Sequence, residues 1–217
     1  NGTPVLVSFQ DGVYPDSAFS GTRDAFLKEG PAPNNENFGH MSRDTVGSVE
    51  LLPGRYFERR FIVRTDLTSI TDCSFILRAT LHIHLSPVLS LPADTIIFEA
   101  CEVTVPDVFT GSWPEGEGGT AGGVSWTCVD GEVPWDVEGG DIVGAPLDSA
   151  TVAADTVMSF VLPNALVFRW IEEPETNHGV LIKPAEAGEV NARIFHTRES
   201  PLGFARPRLE IEYLSGG

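Results

Sequence analysis

The sequence predicts an all-β fold, an antiparallel β-sandwich or jelly roll with one short helix near residues 164–173. Three observations carry this expectation. Apolar and polar residues alternate with period 2 in several short runs, the pattern of half-buried antiparallel strands. The 22 glycines and 16 prolines favour many turns over long helices. Only one stretch spaces large apolar residues at helical intervals. Short strands, turn-rich connections and a lone helix are what two packed sheets require.

Taken in order, residues 56–65 (YFERRFIVRT) form a strand candidate rich in aromatic and β-branched side chains. Residues 76–85 (ILRATLHIHL) alternate most clearly. Leu77, Ala79, Leu81, Ile83 and Leu85 fall on one face, with Arg78, Thr80, His82 and His84 on the other. Residues 95–105 and 156–162 are further strands of the same composition, and 180–183, 192–196 and 208–214 close the chain in the same style. Residues 164–173 (NALVFRWIEE) read as the helix, with Asn164 as N-cap and Pro174 as the stop. Between 110 and 145 lie ten glycines and three of the four tryptophans, a stretch too long for a plain hairpin and too aromatic for a disordered one. No repeat or linker composition breaks the chain, so one domain over 1–217 is expected.

Charge narrows the function. The net charge is −17, and residues 79–168 hold thirteen acids with no Lys or Arg. Such a surface excludes duplex nucleic acid as the main partner, because phosphate binding needs a basic face. It suits a salty medium and hard divalent cations, which take oxygen ligands; a plain solubility surface is the simpler account. No apolar run approaches the ~18 residues of a membrane helix. The chain opens on Asn1 with no apolar leader, as expected of a mature or trimmed chain.

Cys73, Cys101 and Cys128 have no CxxC spacing, which removes zinc-ribbon and thioredoxin-type sites. Two arrangements are expected: for an exported chain, a Cys101–Cys128 bridge with Cys73 as a buried thiol, or else three unpaired, mostly buried thiols. Sugar recognition needs a flat aromatic face beside planar hydrogen-bonding groups, which makes Trp113, Trp126, Trp135 and Asp136 the candidate ligand-binding residues. For Trp113 and Trp126, packing of the loop base is the competing role; Trp135 is the better candidate platform, with core packing again the alternative. Asp130, Asp136 and Asp141 are candidate calcium ligands within a run that also holds Glu132 and Glu138, although it lacks the spacing of a helical calcium loop. Asp24, Asn37 and Glu199 are alternative oxygen donors. His82 and His84, at i and i+2, offer two imidazoles to one metal or simply a polar outer face. No catalytic motif of the nucleophile-elbow, zincin or phosphate-loop kind occurs, so no catalytic residues are assigned.

An ordered string of motifs resembles the DNRLRE domain family from about residue 24 to 213. It begins with Asp24-Ala-Phe-Leu, Pro33-Asn-Asn-Glu-Asn-Phe-Gly39 and Arg60-Phe-Ile-Val-Arg-Thr-Asp-Leu67. Ala79-Thr-Leu-His-Ile, Trp113-Pro-Glu115 and Val124-Ser-Trp126 follow, then Trp170 and Asn177-His-Gly179. Phe195-His-Thr-Arg-Glu199 and Arg206-Pro-Arg-Leu-Glu-Ile-Glu-Tyr213 complete it. The chain departs from the family pattern at Thr65, in the long 116–123 spacer and in the added 128–144 segment. The resemblance implies a secreted or cell-surface sandwich similar to carbohydrate-binding modules. The expectation is therefore a non-catalytic module that binds glycan or a surface polymer, requiring no cofactor, with structural Ca2+ as the ion the acids favour. A structural or adhesion subunit with other protein chains as partners is the alternative, and a carboxylate-based polysaccharide-degrading enzyme the third reading.

Overall fold

The computed structural model describes residues 2–30, 35–87, 95–119, 122–152, 156–186 and 191–216. Pro33 and Asn34 of the Asn-rich motif, and residues 120 and 121 of the glycine run, lie outside these. The strands are β1 (Pro4–Phe9), β2 (Thr22–Lys28), β3 (Arg43–Leu52), β4 (Arg55–Thr65), β5 (Cys73–Ser86) and β6 (Ile96–Glu102). They continue as β7 (Asp148–Val152), β8 (Val157–Leu162), β9 (Val180–Pro184), β10 (Asn191–His196) and β11 (Arg208–Ser215). Among the described residues the one α-helix, α1, spans Asn164–Glu172, and short 3-10 turns occupy Pro174–Thr176 and Gly203–Ala205.

All pairings are antiparallel. One sheet runs β1-β11-β5-β8, so the first and last strands lie side by side with Pro4 opposite Leu214. The other runs β10-β3-β4; beyond Arg59, β4 is flanked by β2 and β9, and β9 leads on to β6 and β7. The sheets join at one seam, where Leu85 and Ser86 at the end of β5 pair with β10. Their inner faces share a core that includes Phe9, Ile83, Phe160 and Ile211 from the first sheet and Phe26, Phe61, Phe98 and Phe195 from the second. Phe61, Phe98 and Phe195 stack edge-on, with ring centroids 5.2–5.8 Å apart, a geometry that adds to plain burial. This is the expected sandwich.

The alternation in β5 holds over Ala79, Leu81, Ile83 and Leu85, all buried. It fails at Leu77, which is exposed while Ile76 turns inward. A bulge explains the exchange: β11 pairs Glu212 with Arg78 and Tyr213 with Ile76, so Leu77 is the extra residue. Helix α1 begins one residue earlier than expected in its capping. Pro163 is the N-cap, its carbonyl accepting from Leu166 and Val167, while Asn164 reaches back to the Leu77 carbonyl. Leu166, Val167, Trp170 and Ile171 form its buried stripe. The three cysteines are free, so the Cys101–Cys128 bridge does not form. Cys101 is held within β6 opposite Leu181 of β9, and the Cys128 thiol lies against the Thr127 hydroxyl at 3.6 Å. No helix among the described residues is long and apolar enough to cross a membrane.

Candidate functional site

The Gly/Trp-rich stretch is neither hairpin nor tail. It folds back over the outer face of the second sheet as a third layer. Trp113, Val124, Trp126, Val129 and Trp135 form a second core with Ala25 and Leu27 of β2, Ile62 of β4 and Leu181 of β9. Trp113, Trp126 and Trp135 are only 1%, 5% and 5% exposed. The indole of Trp113 donates to the His178 carbonyl and that of Trp135 to the Ser125 carbonyl, both at 2.9 Å, and Arg60 lies over Trp126. These rings are therefore packing groups and present no platform to a sugar. The candidate calcium ligands do not converge either. Asp130 accepts from the Glu132 and Val133 amides, Asp141 from the Asp136 and Val137 amides, and Asp136 is exposed. Asp130 and Asp141 are turn-makers whose oxygens satisfy local backbone. His82 is bonded to Ser159 and His84 sits edge-on to Phe204; among the described residues no third metal-ligating group joins them.

A different cluster forms behind this layer. Buried Asn37 accepts from Gly118 N–H and donates to the Gly119 carbonyl, pinning the glycine run. A side chain at Gly116 would strike Asn37 at 2.5 Å, so the loop must be glycine where it crosses. The crossing lays Glu115 against β2, where its Oε1 accepts the Asp24 amide at 3.0 Å. From the segment after β10, Arg198 grips both Glu115 oxygens at 2.6 Å, reaches Asp11 at 3.2 Å and Glu199 at 2.8 Å, and its backbone amide donates to Asp24 Oδ2 at 2.8 Å. One ligand oxygen each from Asp24, Glu115 and Glu199 fall within 4.8 Å of one another.

Four acids thus face one guanidinium. Burial, then Glu199 and Glu115, push Asp24 well above the usual carboxylate range, against the pull of Arg198. Burial and then Glu115 push Glu199 up to about 7. Burial works against the charge on Arg198, yet its acidic neighbours hold it above its ordinary value. A carboxyl whose folded pKa is raised keeps a proton that the unfolded chain has released. Its contribution is complete below the ordinary carboxylate pKa and is lost as pH rises to about 7. In chelator, the wild type should therefore lose stability between about pH 4.5 and 7.5 relative to Glu199→Gln. The slope difference is at most ~1.4 kcal/mol per pH unit for each protonated carboxyl. Urea titrations of both proteins across that window check it; parallel pH profiles would refute it.

The third feature is a cleft at the end of the sandwich where β4 leaves and β2 begins. Its volume is about 420 Å³, and its walls come from Ser20, Arg23, Arg64, Asp66, Thr68, Ser112, Trp170, Glu175 and Asn177. A second hollow of about 420 Å³ shares Ser20, Gly21, Asp66 and Thr68 with it and adds the Phe19 ring. Arg23 and Arg64 stand directly opposite each other across β2 and β4, an unfavourable like-charge pair. Arg23 donates to the Ser20 and Thr22 carbonyls and Arg64 to the Ser112 hydroxyl. Among the described residues neither forms an ion pair with a carboxylate. Burial and then Arg23 lower the pKa of Arg64, with Asp66 opposing. Asn177 Oδ1 and Trp170 Nε1, both buried, have no hydrogen-bond partner among the described residues.

Sequence reasoning named Asp24 and Glu199 as oxygen donors but did not single out Glu115, Arg23, Ser112 or Asn177 as site residues. The usable signal was a charged residue inside an apolar strand segment, Asp24 before Ala25-Phe26-Leu27. No model of a known protein family and no curated protein sequence matches the chain.

Proposed function

We propose that this chain is a non-catalytic binding module of the secreted or cell-surface kind, and that it holds a hydroxyl-rich polymer, a glycan, in the cleft between Arg23, Arg64 and Asn177. The carrying observation is the cleft itself. It brings two guanidinium groups that have no carboxylate partner among the described residues together with Asp66, Thr68, Ser112 and Asn177. Donors and acceptors converging in a hollow of ~300–1,000 Å³ are what a small polar ligand needs. The Phe19 ring next door supplies an apolar face for a neighbouring sugar unit. The motif string similar to carbohydrate-binding modules supports the same reading.

A polysaccharide screen of the folded chain, followed by calorimetry on any hit, tests it. Arg64→Gln should weaken binding roughly 10–150-fold, the worth of one charge-assisted hydrogen bond of ~1.5–3 kcal/mol, with the thermal midpoint little changed. Silence of the wild type across neutral and acidic glycans, or binding untouched by Arg64→Gln, would reject the cleft as the site. Asp66 and Glu175 share its wall, so product release that disappears in Asp66→Asn would show a hydrolase instead. One observation favours assembly with other chains: among the described residues β1 pairs only with β11, which leaves its other edge without a strand, and Leu6 is exposed. Concentration-dependent association in light scattering would favour that reading.

A further inference from the structure

We infer that Asp24, Glu115 and Glu199 form a binding site for one divalent, oxygen-preferring cation, calcium in preference to magnesium. This goes beyond the glycan reading and does not depend on it.

Glu115 has both of its oxygens on Arg198, and Glu199 Oε1 is on Arg198 as well. Asp24 Oδ2 accepts the Arg198 amide. Two oxygens remain, Asp24 Oδ1 and Glu199 Oε2. Both are shut off from solvent and have no hydrogen-bond partner among the described residues, and Asp24 as a whole is 0% exposed. A wholly buried carboxylate oxygen facing other carboxylates with no donor is unfavourable unless something positive meets it. Charge gives the same answer. Asp11, Asp24, Glu115 and Glu199 face Arg198, while Arg206 donates to the Asp11 and Ser200 backbone carbonyls and, among the described residues, pairs with none of these carboxylates. A doubly charged ion removes most of that excess.

Coordination chemistry selects the ion. Magnesium demands a near-ideal octahedral shell and keeps several of its waters, whereas calcium accepts irregular sets of carboxylate oxygens. Asp24 Oδ1 and Glu199 Oε2 are shut off from solvent, which suits an ion held by protein oxygens. With no Cys or His among the three residues, softer metals are disfavoured. Glu199, whose side chain is 24% exposed, marks the way in.

The test uses the full chain stripped with chelator at pH 8, titrated with calcium alone and with magnesium alone, by calorimetry and thermal melting. Saturable calcium heat is expected, with a rise in midpoint of roughly 5–10 °C at a hundredfold excess over the dissociation constant. Magnesium should bind at least tenfold more weakly. Asp24→Asn should abolish the heat and the shift, while melting at or above the metal-free wild type. If that variant fails to fold, Glu199→Gln takes its place with the same expectation. A wild type without calcium heat or shift overturns the site, and the two oxygens then share a proton. A calcium response that survives in both variants overturns it too, placing the ion elsewhere, for example on Asp130 or Asp136.

Discussion

Arg198→Met should destabilise the protein by roughly 3 kcal/mol at pH 8, measured by urea unfolding. Removing one partner of a buried ion pair costs ~3–5 kcal/mol because the other charge is stranded. The lower figure applies because a quarter of the Arg198 side chain is exposed. Here the stranded groups are several, since Arg198 is the shared partner of Asp11, Glu115 and Glu199. The loss should shrink at pH 5, where Glu199, raised to about 7, takes up a proton. Arg198→Lys should recover only part of it: an ammonium keeps the charge but cannot match the two Glu115 oxygens with a planar fork. A cost independent of pH would mean that Arg198 acts through packing alone.

Trp135→Ala carries an effect of similar size for a different reason. As a sugar platform, Trp135 would be dispensable for folding and its loss would show in binding alone. The ring is instead 5% exposed and tied to Ser125. Its truncation should therefore cost ~3–5 kcal/mol, as for other buried aromatic residues. The damage should concentrate in the third layer, so limited proteolysis within residues 116–139 ought to accelerate before the rest of the sandwich opens. Unchanged urea stability would restore the platform reading.

The same layer explains which strands could be read from the sequence. β5 has one face in the core and one outside, so its alternation was visible, apart from the bulge at Leu77. β2 has Phe26 in the inner core and Ala25 and Leu27 under the tryptophans. With both faces covered it shows no alternation, and periodicity gave no sign of it. The site was less legible. Asp24, Glu115 and Glu199 come from segments far apart in sequence, and only the crossing of the glycine run at Asn37 brings Glu115 to β2. Arg23 faces Arg64 through the β2–β4 register, which no local pattern encodes. Asp130, Asp136 and Asp141 drew attention by density, yet dense acids in a loop serve as well to bind amides as to bind ions.

The pairing of β1 with β11 bears on how the molecule takes mechanical load. Pro4 lies opposite Leu214 and Phe9 opposite Leu209, so both ends of this segment leave from the same end of the same hairpin-like pair. A force drawing them apart acts on the Pro4–Leu214 contact first and on each later pair in turn, like a zipper. Strands pulled from opposite ends must instead break all their bonds at once. Tension transmitted through the ends would therefore peel β1 away at low force, exposing β11 as a fresh edge while the shared core of the two sheets still stands.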